Sequence, residues 1–242
     1  MVSRIVSQFV RELIWQTGLV VYRHWFRLGV YGYKNLPKTG PYLLAANHGS
    51  HLDGPAVMAA QRVHYRHVST LGATDYFFSS SALGWMSRNF LNMIPFDRAH
   101  LDFGAVRECQ RVAAHGNRIL MFPEGTRSVD GRLYPFKPGF GFIASRLALP
   151  IVPVYIHGAS EALPKGRIWP RRRRVFVCFG EPIDPKGYHA ASGTHREIYP
   201  RIAADVFRAI KRSRDELLGT AVDVHASTAR DTPRVWLNKV PR

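Results

Sequence analysis

Four short, almost wholly apolar runs constrain this chain more than any other feature. They cover residues 42–46, 118–122, 151–156 and 175–179, and segments of helical character separate them. Such runs read as strands buried on both faces. Between them the pattern predicts a helix from Pro55 to about residue 61, a strand in 63–69 and two short helices within 74–90. It then predicts a strand over 92–96, a helix over 100–115 closed by Gly116, and a helix over 140–147. A long basic helix over 194–218 follows, and beyond Gly219 the small, polar composition predicts a loosely held basic tail. Strands alternating with helices imply a single α/β domain with a mixed, largely parallel sheet flanked by helices. The length of 242 residues, 46% of them apolar, suits one such domain. The expected organisation is a helical segment over 1–30, the main domain over 31–218 and the tail over 219–242.

The N-terminal segment reads as an amphipathic helix over residues 4–29. Ile5, Val6, Phe9, Val10, Leu13 and Ile14 share one face, while Arg4, Ser7, Gln8, Arg11 and Glu12 share the other. Trp15, Trp25 and Phe26 with neighbouring Arg residues suit a helix lying in a membrane interface, and packing against the domain is the alternative. The charge-free stretch over 13–22 is far shorter than the ~20 residues of a membrane-spanning helix, and no secretory signal is expected. Lys and Arg total 34 against 17 acidic residues, a surplus of +17 that calls for an anionic partner. The run Arg171-Arg172-Arg173-Arg174 fits a phosphate-bearing surface or a solvated loop. It lacks the interleaved aromatics of a nucleic-acid stacking platform, so nucleic acid is not an expected partner. Cys109 and Cys178 are far apart with no CxxC spacing, which predicts two buried thiols in a reducing compartment.

Two loops leaving apolar runs concentrate the polar chemistry. The first is Asn47-His48-Gly49-Ser50-His51-Leu52-Asp53. On a regular helix His48 and Asp53 would diverge by ~140°, but in a loop entering a helix they can meet. A carboxylate on one imidazole nitrogen fixes the tautomer and leaves the other nitrogen to take a proton from a hydroxyl. The structural alternative for Asp53 is a helix N-cap ahead of Pro55, and His51 reads as a surface histidine. The second loop is Phe122-Pro123-Glu124-Gly125-Thr126-Arg127-Ser128. Gly125 lets backbone approach a ligand, Arg127 offers a forked donor set matched to phosphate, and Glu124 could orient that Arg or bind a hydroxyl. Arg98, after the strand ending at Phe96, and Lys137 are further cationic candidates. Nucleotide-binding glycine loops, a GxSxG elbow and a metal-ligand spacing around His64 and His67 are all missing from the sequence.

Taken together and in this order, the segments resemble the glycerolipid acyltransferase family, of the 1-acylglycerol-3-phosphate acyltransferase type, over about residues 35–185. Asn47, His48 and Asp53 match its NH-x4-D motif, Pro95-Phe96-Asp97-Arg98 its second block, and 122–128 its FPEGTRS motif in full. Val152-Pro153-Val154 resembles its fourth. The stretch Asn92-Met93-Ile94-Pro95 departs from the Gly-containing run that many members carry before Asp-Arg. The resemblance implies catalysis by His48 and Asp53. It implies substrate binding by Asn47, Arg98, Glu124, Gly125, Thr126, Arg127 and Lys137. It further implies an acyl-CoA or acyl carrier protein donor, a phosphate-bearing lipid acceptor, an anionic membrane surface, and no metal or other cofactor. A peripheral or monotopic position on the cytoplasmic face of a membrane follows from the same reading. The alternatives are a relative with a different lipid or non-phosphate acceptor, a thioester hydrolase, and a non-catalytic lipid-binding module.

Overall fold

Strand residues in this chain alternate between two separate cores. In the computed structural model, which describes the backbone of residues 2–100, 102–190 and 194–226, the elements in chain order are α1 (Val2–Val20), a π-type turn (Val21–Trp25), β1 (Gly29–Tyr31), β2 (Leu43–Ala46) and α2 (Asp53–Ala60). Next come β3 (Val68–Ala73), α3 (Thr74–Phe77), α4 (Ser81–Leu91), β4 (Met93–Phe96), α5 (Phe103–Ala114) and β5 (Arg118–Met121). The order ends with α6 (Pro138–Leu147), β6 (Ile151–His157), α7 (Ala159–Ala162), β7 (Phe176–Phe179), α8 (Lys186–Ala190) and α9 (His195–Ala226). The seven strands form one sheet in the order β1-β7-β6-β2-β5-β3-β4, and every neighbouring pair is parallel except β6 with β7.

Leu43, Ala45, Ile119 and Met121 face a core built with α5, α6 and α9. Their neighbours Leu44, Ala46 and Leu120 face the opposite core, shared with α2 and with Tyr22 and Phe26 of the N-terminal segment. That two-sided burial is why these strands read as continuous apolar runs. Cys109 and Cys178 are both buried, unpaired members of the first core, as expected, and burial pushes each thiol up to about 12. The α6–α9 contact is close: a Cβ at Gly141 would run into the Tyr199 carbonyl. The protein is a single α/β domain with a mixed, mostly parallel sheet and helices on both faces, as its alternation predicted.

Several boundaries differ from expectation. The strand expected in 63–69 starts only at Val68, after a 3-10 turn (Tyr65–His67), and runs to Ala73. Its Gly72 lies tight against the Met93 side chain, so neighbour packing rather than strand propensity sets its place. The helix expected from residue 100 starts at Phe103, because Asp102 caps it by accepting the Ala105 N–H at 2.8 Å. Pro95 sits in β4, an edge strand, where its missing N–H costs no ladder bond to a further neighbour.

The N-terminal helix stops at Val20 instead of 29. The π-type turn then swings Tyr22 and Phe26 into the core, and β1, absent from the sequence reading, follows. Helix α9 continues through Gly219 to Ala226 rather than giving way to irregular chain at 219. The remainder of the expected tail, residues 227–242, lies outside the described residues.

The orientation of α1 is the reverse of that of a helix packing its apolar face on its own domain. Its polar face meets the protein: Arg11 donates to Tyr65 Oη at 2.7 Å and to Asn92 Oδ1 at 3.0 Å, and Glu12 pairs with His64 at 2.7 Å. Phe9, Leu13 and Ile14 point outward, 56–69% exposed. No helix among the described residues is long and apolar enough to cross a membrane.

Candidate active site

Parallel pairing puts the C-terminal ends of β2, β3, β4, β5 and β6 on one edge of the sheet. Loops leaving strands at such an edge are where α/β sheets assemble sites. The loops carrying His48, Asp75, Arg98 and Glu124 all emerge there.

At the end of β2, Asn47 acts as a splint. Its amide nitrogen donates to the Ile156 carbonyl at 3.0 Å, and its amide oxygen accepts the Ile156 N–H at 2.7 Å. Both polar atoms are spent on β6. This pairing sets the point at which the next residue leaves the sheet. That residue, His48, turns its Nδ1 to within 2.9 Å of Asp53 Oδ2. The same carboxylate oxygen accepts the N–H groups of Gly49 and Ser50, each at 2.7 Å. Asp53 is 1% exposed and occupies the first residue of α2 with its side chain turned back on the loop, so it is not the N-cap considered from sequence. One buried oxygen thus closes the loop and holds the imidazole. The His48 ring stacks on Phe122 with centroids 4.0 Å apart and 20° between planes. With Nδ1 engaged by Asp53 and one face covered by Phe122, Nε2 is the nitrogen left for proton transfer.

The second loop is knitted to the first through the His48 backbone. Glu124 Oε1 accepts the His48 N–H at 3.1 Å, and the Ser128 N–H donates to the His48 carbonyl at 2.8 Å. Glu124 is 5% exposed, and its Oε2 is buried without a partner among the described residues. Burial, reinforced by the nearby Asp53 charge, lifts its pKa to about 7. Glu124 therefore does not orient Arg127, nor does it present a carboxylate to solvent; it braces the two loops. Gly125 follows with φ +72, a conformation that strains any side chain.

Around Gly125 the cations gather. Arg98 donates to the Gly125 carbonyl at 2.8 Å and pairs with Asp75 at the start of α3. Lys137 lies so near that its Nζ would be 3.3 Å from a Cβ at Gly125. Arg127 is half-buried, and among the described residues no carboxylate pairs with either Arg127 or Lys137. Thr126 is exposed between them. His51 lies on the rim, its Nε2 3.3 Å from the Tyr76 hydroxyl; burial and the charges of Arg127 and His48 push its pKa down. Sequence reasoning missed Asp75 and Tyr76, which lie outside both loops and carry no motif. It also missed the role of Phe122, which belonged to a motif it had already singled out.

A family profile described as Acyltransferase matches residues 27–157. The chain is 30% identical over 144 residues to a chloroplastic 1-acyl-sn-glycerol-3-phosphate acyltransferase of Brassica napus, a match covering 58% of this chain and 40% of that protein. It is 31% identical over 170 residues to a 1-acyl-sn-glycerol-3-phosphate acyltransferase of Limnanthes alba, covering 69% of this chain and 58% of the other. The chain therefore spans about half the length, or less, of these curated relatives. Among solved structures it resembles the 1-acyl-sn-glycerophosphate acyltransferase PlsC of Thermotoga maritima. The TM-score is 0.64 at 25% identity, with 94% of this chain and 85% of that one covered.

Proposed function

Because this chain belongs to the acyltransferase family, we propose that it transfers a fatty acyl group from a thioester, acyl-CoA or acyl carrier protein, to the free hydroxyl of 1-acylglycerol-3-phosphate. The observation that carries the reading is the His48 imidazole, gripped through Nδ1 by a buried carboxylate, with Arg98 and Lys137 gathered at Gly125 of the adjoining loop. Such an imidazole takes a proton at Nε2, and Asp53 offsets the charge that forms. The acceptor oxygen attacks the thioester carbonyl as its proton passes to Nε2. The tetrahedral intermediate then expels the thiolate, which recovers that proton.

The N–H groups of Gly49 and Ser50 are committed to Asp53, and that of His48 to Glu124. Oxyanion donors must therefore come from elsewhere, and the second loop is the nearest source of backbone amides. Arg127 and Lys137 hold the acceptor phosphate, and Arg98 joins them by exchanging its exposed partner Asp75. A fixed phosphate positions the hydroxyl, which supplies much of the rate in such a reaction. The outward apolar face of α1 and the +17 surplus support a peripheral position on the cytoplasmic face of a membrane.

The test is thiol release from palmitoyl-CoA, with and without 1-acylglycerol-3-phosphate, for the wild type and His48→Ala. Release that requires the acceptor and drops at least about 100-fold in the variant supports the reading. Release independent of any acceptor identifies a hydrolase instead.

A further inference from the structure

The connection from α7 to β7 carries a feature the proposed chemistry does not use. Residues 165–174 read Lys-Gly-Arg-Ile-Trp-Pro-Arg-Arg-Arg-Arg, six cations and no acid. At the tip of this segment, Ile168 is 85% exposed and Trp169 82% exposed, more than any other large apolar side chain described. Every residue from 165 to 174 is exposed, and among the described residues none of the six cations pairs with a carboxylate.

This segment is no free-floating strand of chain. At its base the Arg171 N–H donates to the Ala162 carbonyl at 2.7 Å, closing the loop. Ser50 Oγ donates to the Leu163 carbonyl at 2.9 Å, which fastens that base to the loop of His48 and Asp53. On the return side the Arg172 guanidinium lies 5.9 Å from the centre of the Trp25 ring, itself half exposed at the end of the N-terminal helical segment. An exposed Ile-Trp pair ringed by unpaired Arg and Lys is chemically complementary to one surface: apolar tip into the acyl region, indole at the interface, guanidinium groups on phosphates.

We infer that residues 165–174 form a membrane wedge, with Ile168 and Trp169 inserting into an anionic phospholipid bilayer while the surrounding Arg and Lys residues engage lipid phosphates. The wedge is a second anchor, separate from α1 and covalently distant from it. Because Ser50 ties its base to the His48 loop, insertion holds that loop at a set height over the lipid surface.

The test uses the full chain and does not depend on catalysis. Binding to sucrose-loaded vesicles of phosphatidylcholine, with and without phosphatidylglycerol, is measured by sedimentation for the wild type and for the double variant Ile168→Ser, Trp169→Ser. Both side chains are exposed, so the variant keeps its fold, which circular dichroism checks. The wedge predicts at least tenfold weaker binding of the variant to anionic vesicles. Charge reversal at Arg171 and Arg173 to Glu predicts a larger loss, since each basic residue near an anionic surface strengthens partitioning about fivefold. A fluorophore on Trp169→Cys, selective because Cys109 and Cys178 are buried, should shift to the blue on binding. Vesicle binding unchanged by the Ser substitutions, or a label at 169 that stays in water, overturns the wedge. Binding lost in the Ser variant while palmitoyl-CoA is never consumed keeps the wedge and removes only the proposed reaction.

Discussion

Asp53 Oδ2 accepts three donors at once, the His48 ring and the N–H groups of Gly49 and Ser50. That arrangement ties the tautomer of the His48 imidazole to the path of the backbone. Replacing Asp53 with Asn sets an amide N–H where donors already converge. We expect kcat to fall by about three to four orders of magnitude with little change in KM, read from steady-state kinetics. An unchanged kcat would detach Asp53 from the base.

Glu124 offers a separate handle. Its folded pKa, about 7, lies above the ordinary carboxylate value of 4.5 because the group is buried. Between those values the folded chain holds a proton that the unfolded chain has lost, so stability falls as pH rises through that window. Glu124→Gln, which stays neutral, should remove this loss. Relative to the variant, the wild type should weaken by on the order of 2 kcal/mol from pH 4.5 to 7.5, measured by urea unfolding at each pH. Parallel pH profiles for the two proteins would count against a proton on Glu124.

At the scale of elements, the two faces of the sheet are closed differently. One is sealed by α5, α6 and α9, and α6 reaches α9 only because Gly141 has no side chain to meet the Tyr199 carbonyl. Gly141→Ala improves helix propensity locally, yet it must push α9 away. The overpacking term exceeds the propensity gain, so the variant should lose about 1–3 kcal/mol in chemical denaturation. A neutral or stabilising result would mean that α9 sits farther from α6 than described. On the other face, α1 is fastened by Arg11 and Glu12, with Trp15 packed on His64 and Tyr65, while the apolar stripe of Phe9, Leu13 and Ile14 stays outward. Amphipathic helices usually bury that stripe in their own protein. An inverted one invites another apolar phase.

For the whole molecule, a +17 surplus acts as a field rather than as separate contacts. Binding to phosphatidylglycerol vesicles should therefore weaken at least about tenfold between ~0.1 M salt, with a Debye length of ~10 Å, and ~1 M, with ~3 Å. Salt-independent binding would assign attachment to the apolar side chains alone. On the proposed membrane reading the field and the apolar surfaces do different work: charge gathers the protein at the lipid, and Phe9, Leu13, Ile14, Ile168 and Trp169 offer side chains for the hydrocarbon.

What the sequence determined by itself were features with a short-range cause, exact helix ends such as the Asp102-capped start of α5 excepted. Runs buried on two faces read as strands, helix periods read as covering layers, and the resemblance carried by 47–53 and 122–128 pointed to the acyltransferase family. Those features depend on neighbours in the chain, so they are legible in order. Tertiary structure alone decided the matters that depend on what lies opposite. Asn47 was legible as a motif member but not as a splint, because Ile156 is 109 positions away. Glu124 looked like a partner for Arg127 until burial beside His48 turned it inward. The face of α1 that meets the protein was set by Tyr65, Asn92 and His64, which no periodicity in residues 4–29 encodes. Trp25 comes to lie 5.9 Å from the Arg172 guanidinium only through the fold, across nearly 150 positions of chain.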